Sequence, residues 1–393
     1  MFAVQSLPVA IAFCMVTMLG WGSWANTQKL AGKEKWPFEL FYWDYAIGVF
    51  VFSLIFAHTL GSFGSAGMGA RDNLHASGGW NVLAPALESG ALFNLSNILL
   101  VVGIDAAGMS VAFPVGVGLA LVIGTVESYV AAPKGNPAMI FGGVALVVCA
   151  MVFSAVAHSR LPHSGGKNRL KGLIYSVIAG CLMGFFYPLL MKPISPNFNT
   201  APIAPGMLTP YVALMAFGAG VLVSNIVWNI ILIRGGGMAV VVVFVALVLA
   251  NGLSWALMPA GTILVLINGS SWALMPAGTI LNGAFLAAVA IWVWQGSWAP
   301  YAAYFRGSMK LHAIGILGGF IWMIALSFNV LASSVAGPAI SYALGQGATL
   351  VAALWGLLIW HEFRNAREGT GKFIALMLAG YAGGLVLIGA ASL

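Results

Sequence analysis

The sequence predicts an all-α, polytopic membrane protein with ten core transmembrane helices arranged as two inverted five-helix repeats. Composition is the first observation: 61% of the 393 residues are hydrophobic and only 6% are charged, against about 25% charged residues in average proteins. Long continuous apolar runs, rather than alternating segments of about ten residues, favour helices over a β-barrel. The third observation is an internal similarity between residues 107–122 and 336–351, which are identical at six of 16 positions.

The apolar runs form two groups of five on either side of a polar segment. They lie near residues 6–25, 39–60, 82–104, 107–130 and 137–157, and then near 172–191, 208–233, 311–331, 336–360 and 372–391. The polar segment, residues 158–171, carries four basic side chains and is interpreted as a cytoplasmic linker. The predicted domains are therefore residues 1–157, the linker, and residues 172–393.

The distribution of Lys and Arg predicts the orientation. With the N-terminus outside, thirteen of them fall in cytoplasmic loops and three, Arg71, Lys134 and Lys192, fall outside. Because Lys and Arg accumulate in cytoplasmic loops, both termini are predicted to lie outside the cell, in a multi-pass protein of the plasma membrane. Five spans per repeat is an odd number, so the second repeat is predicted to be inverted, as in carriers that bind solutes at the repeat interface.

An apolar insertion at about residues 235–305 does not fit the pattern of five plus five. Within it, residues 251–264 recur as residues 268–281, with 13 of 14 positions identical. A 17-residue shift turns a helix by roughly 260°, so a recent tandem duplication or an error in the sequence explains the copies better than a regular repeat. Both flanking residues, Arg234 and Arg306, are assigned to the cytoplasm, which predicts one extra hydrophobic hairpin.

The two similar segments each carry a stripe of small side chains at four-residue spacing. These residues are Ala112, Gly116, Ala120 and Gly124 in the first segment, and Ser341, Gly345, Thr349 and Ala353 in the second. In lipid, small residues allow helix backbones to approach closely and pack. The stripes therefore predict two seam helices at which the two repeats meet.

Several blocks in both halves resemble the ureide permease family, of the drug/metabolite transporter superfamily. They are GWGSWANTQK (20–29), FELFYWDYAIG (38–48), residues 94–124, residues 208–232 and residues 337–363. The resemblance implies ten spans in two five-helix repeats, and transport of allantoin, uracil and related nitrogen heterocycles coupled to protons. Plant members carry a phosphate-binding motif in a long central loop; this linker is short and has no GxxxxGK[ST] motif, so no nucleotide role is implied.

Polar and aromatic residues inside the predicted spans are the candidate site. Asn and Gln side chains offer both donors and acceptors to the amide groups of a flat heterocycle, and aromatic faces can stack on its ring. The alternative role for each amide side chain is structural: it would form a hydrogen bond between helices and would not contact the substrate. The predicted substrate-binding residues are Asn94, Asn97, Gln346, Asn329, Trp322, Tyr342, Asp44 and Trp24.

Two carboxylates within the spans are the candidates for proton coupling. A carboxylate at the centre of a span costs about 2.5–3.5 kcal/mol on insertion scales, so Asp44 and Glu88 call for a function. Glu88 has no basic residue nearer than Arg71 and is predicted to be the better proton carrier, whereas Asp44 is the better structural or substrate-facing group. The alternative for Asp44 is an interfacial aspartate beside an aromatic belt.

These features together predict a secondary transporter for small polar nitrogen heterocycles, working by alternating access. The alternative is a sugar permease of the glucose/ribose porter type, with Trp322, Asn329 and Gln346 at its site. The sequence has no HExxH, GxGD or GxSxG motif and is not predicted to be an enzyme. The expected partners are the substrate, a proton or another coupling ion, and the lipid bilayer, without nucleic acid, cofactor or metal; the oligomeric state is not predicted.

Overall fold

The structure, a computed structural model, describes residues 1–64, 66–77, 79–162, 168–200, 202–268 and 299–392. Every regular element in these residues is a helix, apart from an isolated β-bridge between Ile194 and Leu208. Ten segments of the described chain are long and apolar enough to cross a membrane. The predicted all-α class and the ten spans are thereby confirmed.

The helices follow the predicted order along the chain. Their bounds are α1 (Leu7–Ser23), α2 (Ala25–Lys33), α3 (Phe38–His58), α4 (Ala70–Ala76), α5 (Trp80–Ala107), α6 (Met109–Ala131), α7 (Pro137–Ser159), α8 (Arg169–Met191), α9 (Pro210–Asn268), α10 (Ala299–Phe305), α11 (Met309–Ala336), α12 (Pro338–Gly345), α13 (Ala348–Leu354) and α14 (Thr370–Ala390). The first span combines α1 and α2 into Leu7–Lys33 and is longer than the apolar run predicts.

The described chain divides into two compact units. The first consists of Met1–Ile226 and Ser308–Leu393, and the second is Val227–Gly307. Helix α9 contains one non-helical residue, Gly236, with φ 67° and ψ −175°, a conformation that is essentially restricted to glycine. Part of the predicted hydrophobic hairpin at about residues 235–305, namely residues 269–298, lies outside the described residues.

Local sequence explains where several helices begin. The Asn136 side chain accepts hydrogen bonds from the backbone N–H groups of Ala138 and Met139 at the start of α7, and Asn168 caps α8 in the same way. At the start of α11, the Ser308 hydroxyl accepts from the N–H of Leu311. Such caps satisfy N–H groups that the first helical turn leaves without partners.

The two seam helices begin with the same backbone conformation. Gly108 precedes α6 with φ 84° and ψ 157°, and Gly337 precedes α12 with φ 89° and ψ 147°. These glycines occupy equivalent positions in the two similar segments, and a positive φ of this kind strongly favours glycine. The match supports an internal repeat, while the inverted orientation of its second copy stays a prediction.

Close packing at the predicted stripes is present in both segments. A Cβ atom at Gly116 would lie 2.5 Å from the Leu100 side chain, and one at Gly180 of α8 would meet the carbonyl oxygen of Gly116. In the other segment, a Cβ atom at Gly345 would lie 2.8 Å from Asn329 and 2.8 Å from the Trp21 ring. Each seam helix therefore packs against the first helix of the other predicted repeat.

Candidate substrate cavity and its flanking layers

A cavity of about 130 Å³ lies midway along the helices of the first unit. Helices α1, α2, α5, α6, α8, α11 and α13 surround it, and Gln346 reaches it from the connection between α12 and α13. Its wall consists of Trp21, Gly22, Trp24, Ala25, Phe93, Asn97, Leu100, Phe113, Val117, Met183, Phe186, Trp322, Gln346, Ala348, Thr349 and Ala352. None of these described residues carries a formal charge, so the cavity suits an uncharged ligand.

Aromatic rings form a large part of the cavity wall. The rings of Trp21 and Trp322 are stacked with centroids 5.9 Å apart and an interplanar angle of 21°. Phe93 also stacks on Trp322, with centroids 4.1 Å apart. These rings offer flat, apolar faces on which a planar ligand can stack.

Two carboxamides supply polar groups to this wall. Asn97, on α5, is buried and donates a hydrogen bond from Nδ2 to the Tyr42 hydroxyl, 3.0 Å away. That hydrogen bond fixes the direction of the Asn97 amide. Gln346 is 7% exposed and follows α12 at the break before α13. Because carboxamides both donate and accept, the pair can bind a ligand that presents both kinds of group.

A layer of uncharged contacts flanks the cavity toward the ends of α6, α8 and α11. The hydroxyls of Tyr187 and Ser341 are 3.2 Å apart, and Asn329 donates from Nδ2 to the Ser341 carbonyl at 2.7 Å. The Tyr342 hydroxyl donates to the carbonyl of Ala120 at 3.2 Å. We call these five residues the tyrosine layer, and the end of the bundle beyond it the Lys134 end.

A layer that includes charged groups flanks the cavity on its other side. Lys29 forms an ion pair with Glu362, and the Trp360 indole N–H donates to Asn26 Oδ1 at 2.6 Å. The Trp355 indole N–H donates to the Ser23 hydroxyl at 2.9 Å. We call this group the tryptophan layer, and the end of the bundle beyond it the Glu362 end; it ties α1 and α2 to the segment that follows α13.

A buried acid–base pair joins α3 to α11 near the Glu362 end. Asp44 is 1% exposed, and His312 Nδ1 lies 3.0 and 2.9 Å from its two carboxylate oxygens. The edge of the Trp36 ring packs against the imidazole. Nearby at the surface, Lys310 hydrogen-bonds Glu34 and lowers the pKa of that carboxyl group.

The structure brings four of the predicted site residues together at the cavity: Asn97, Gln346, Trp322 and Trp24. Asn329 and Tyr342 belong to the tyrosine layer instead, and Asn94 donates to the Ser224 hydroxyl at 2.9 Å. Asp44 lies in the pair with His312 and does not line the cavity.

Glu88 differs from its predicted environment. Its side chain is exposed on α5, whereas the next two residues, Ser89 and Gly90, are buried. Successive residues on a helix point about 100° apart, so the face that buries Ser89 turns Glu88 outward. Glu88 therefore lies within a span without being buried among the helices, and its role in proton coupling stays a prediction.

Sequence reasoning did not single out Trp21, Tyr187, Glu362 or His312 as site residues. Glu362 and His312 lie at span ends, where charged and polar residues are ordinary, and their partners are hundreds of residues away. The sequence did contain a signal for Trp21, which lies in the block GWGSWANTQK. It is also four residues from Thr17, so the two side chains share one face of a helix.

The ten spans of the described chain define a multi-pass helical membrane protein, and its first unit encloses a cavity with no charged residue in its described wall. A family model described as ureide permease matches residues 41–164. Ureide permease 1 and Ureide permease 2 of Arabidopsis thaliana are each 26% identical to this chain, over 159 and 161 residues. Both matches cover 40% of this chain and 40% of the relative, so the aligned part spans less than half of either relative. Together they confirm the resemblance to the ureide permease family seen in the sequence.

Proposed function

We propose that this protein is a secondary transporter for small, uncharged nitrogen heterocycles such as uracil or allantoin. The cavity carries the proposal, because it combines stacked indole faces with two carboxamides and no charged side chain among its described residues. An engineered cavity of about 150 Å³ accommodates benzene, so about 130 Å³ matches one small ring. The names of the two relatives support ureide-type compounds over the sugar alternative.

Binding to the purified protein tests the choice of ligand. We expect Asn97→Leu and Gln346→Leu to weaken uracil or allantoin binding by about tenfold or more, because a site built to hydrogen-bond a ligand discriminates strongly when that bond is lost. Gln5→Leu is the matched control, since Gln5 is an exposed amide that bonds the Asn199 carbonyl away from the cavity. Equal competition by glucose or ribose, or unchanged binding in both cavity variants, contradicts the proposal.

The two layers suggest how access alternates. The tyrosine layer and the tryptophan layer lie on opposite sides of the cavity, and each joins helices from both predicted repeats, through Tyr342 and Ala120 in the first and Trp355 and Ser23 in the second. In an inverted repeat, exchanging the conformations of the two copies exchanges the side that is open. We propose that the layers open in turn, with the Lys134 end facing outward.

Cysteine labelling tests this orientation. Phe63 and Lys171 are exposed and are predicted to lie on opposite sides of the membrane. In a variant with Cys14, Cys149 and Cys181 replaced by Ser, a cysteine at position 63 should react with an impermeant maleimide in intact cells, and one at 171 only after lysis. Labelling of position 171 in intact cells would reverse the orientation.

For coupling, we propose the Asp44–His312 pair as the proton site. A carboxylate buried within a span is expensive and is a functional candidate by default, and the ring nitrogens of its imidazole partner can accept or donate a proton. Uptake should lose its pH dependence in Asp44→Asn while substrate exchange persists. Glu88→Gln serves as the comparison, because Glu88 is exposed on the same bundle. Loss of pH dependence only in Glu88→Gln would return the assignment to Glu88.

A further inference from the structure

A second and larger cavity, of about 570 Å³, lies at the Lys134 end of the first unit. It is lined by Ser128, Ala131, Ala132, Pro133, Lys134, Pro188, Met191, Lys192, Ile194, Ser195, Pro196, Asn197, Phe198, Met207, Ser333, Ser334 and Pro338. It shares no lining residue with the central cavity, and the tyrosine layer lies between the two along α6, α8, α11 and α12. We call it the vestibule.

The charge of the vestibule has one sign. Lys134 and Lys192 line it, and no Asp or Glu is among the described residues of its wall. Lys134 donates to the Ser334 carbonyl at 3.2 Å, which holds its ammonium group against the end of α11. The nearest carboxylate in the sequence, Glu127, is exposed on α6 and does not line the vestibule. A cleft lined by one sign of charge concentrates counter-ions, so the vestibule favours anions.

A buried hydroxyl in the same wall lacks a partner. Ser128 is 1% exposed, and its hydroxyl has no hydrogen-bond partner among the described residues. Buried polar groups are nearly always hydrogen-bonded, so one without a partner calls for an explanation, such as a ligand or an ordered water. Within the vestibule, that hydroxyl can donate to an anionic oxygen.

The rest of the wall is apolar. Met191, Ile194, Phe198 and Met207 provide thioether, aliphatic and aromatic surface beside the two ammonium groups. Inorganic ions gain nothing from such surface, whereas an organic anion buries its apolar part there. The combination selects a molecule with one negative group and an apolar body.

We propose that the vestibule binds small amphipathic organic carboxylates from water, with the carboxylate between Lys134 and Lys192 and the apolar body against Phe198 and Met207. The proposed binding depends only on the residues of the vestibule and not on the transport function. Its consequence rests on the proposed transport function: an occupied vestibule covers the tyrosine layer and inhibits passage of substrate at the Lys134 end.

Matched ligands test the binding on the full-length chain purified in detergent. 2-Naphthoate and 2-naphthamide have nearly the same shape, and only the first is anionic. We expect 2-naphthoate to raise the Tm and 2-naphthamide to have little effect. The double variant Lys134→Gln/Lys192→Gln should bind 2-naphthoate about tenfold or more weakly, because charge-assisted hydrogen bonds are lost. The Ser128→Ala variant should show a smaller loss.

The controls separate the vestibule from folding and from the proposed function. Lys171→Gln removes an exposed lysine elsewhere and should bind 2-naphthoate normally. Retained uracil binding in the double variant shows that its fold is intact. If uracil does not bind even to the native protein, an unchanged Tm of the double variant shows the same. Equal effects of the two naphthyl ligands, or unchanged affinity in the double variant, overturn the proposal.

An anionic lipid headgroup presents similar chemistry and is tested in vesicles. In phosphatidylcholine vesicles, 2-naphthoate should inhibit substrate uptake, and adding phosphatidylglycerol should not relieve or replace that inhibition. Phosphatidylglycerol could instead abolish 2-naphthoate binding in the native chain and have no effect on the Lys134→Gln/Lys192→Gln variant. In that case the site belongs to lipid and the proposal is wrong.

Discussion

The two seam segments have similar sequences but different helices. Helix α6 runs without interruption from Met109 to Ala131, whereas its counterpart divides into α12, α13 and a π-helical turn, Trp355–Ile359. At the equivalent position where α6 presents Val117 to the cavity, the second segment presents Gln346. The comparison teaches that a repeat can keep its packing stripe while one copy gains a hydrogen-bonding side chain at the cavity.

The hydrogen bonds around Gln346 show how the second segment is interrupted. The Gly347 N–H donates to the Leu344 carbonyl and the Thr349 N–H to the Gln346 carbonyl, which are three-residue spacings in place of the four of an α-helix. A Cβ atom at Gly347 would lie 2.7 Å from both Met18 and Leu385 side chains. The tighter turn thus places Gln346 at the cavity, and a side chain at 347 would be crowded.

The largest difference is expected from substitutions of the two stripe glycines. Leucine at Gly345 or Gly116 should stop folding or transport, because it forces helices apart. Alanine distinguishes them: at Gly345 the new Cβ meets Asn329 and Trp21 at 2.8 Å, whereas at Gly116 it meets only the end of the flexible Leu100 side chain within 3 Å. Gly345→Ala should cost about 1–3 kcal/mol and Gly116→Ala less, read as Tm in detergent. Equal Tm losses would contradict the assigned packing.

A second test exchanges the residues that distinguish the two segments. Gln346→Val gives the second segment the residue of the first and should weaken ligand binding by about tenfold or more, with little change in Tm. Val117→Gln is the reciprocal variant; it adds an amide to the opposite wall and should alter ligand preference without restoring affinity when combined with Gln346→Val. Unchanged affinity in Gln346→Val would remove Gln346 from the site.

The smallest effect is expected at the tryptophan layer, to which the interrupted segment contributes Trp355 from its π-helical turn and Trp360 and Glu362 from beyond it. The Lys29 and Glu362 side chains are 40% and 30% exposed, so their ion pair should contribute no more than about 1 kcal/mol. Lys29→Gln and Glu362→Gln should therefore change uptake modestly, and the difference from wild type should shrink at high salt. Tyr187→Phe is the control in the uncharged tyrosine layer, and its effect should not depend on salt. A salt-dependent effect in Tyr187→Phe would show that the two layers do not differ as described.

The spans could be predicted because membrane insertion imposes apolar runs of about twenty residues. The buried state of Asp44 was less accessible to sequence reasoning, since its partner His312 lies 268 residues away in the chain. The exposure of Glu88 has a different reason for being missed: the residue lies within a span, but apolar runs indicate the length of a helix better than the direction of each side chain. The interruption at Gln346 was equally hidden, because Gly345 fits the close-packed stripe of an unbroken helix as well as it fits a turn.

The stacked indoles of Trp21 and Trp322 give the cavity an optical property. Among the described residues, three tryptophans, Trp21, Trp24 and Trp322, line it, and a heterocycle that stacks on them replaces one ring–ring contact with another. Binding should therefore change the intrinsic fluorescence and the near-ultraviolet circular dichroism of the native chain. Substrate affinity can then be read by titration without a label, and replacing Trp322 with Phe should remove most of that signal while the other tryptophans remain as an internal reference.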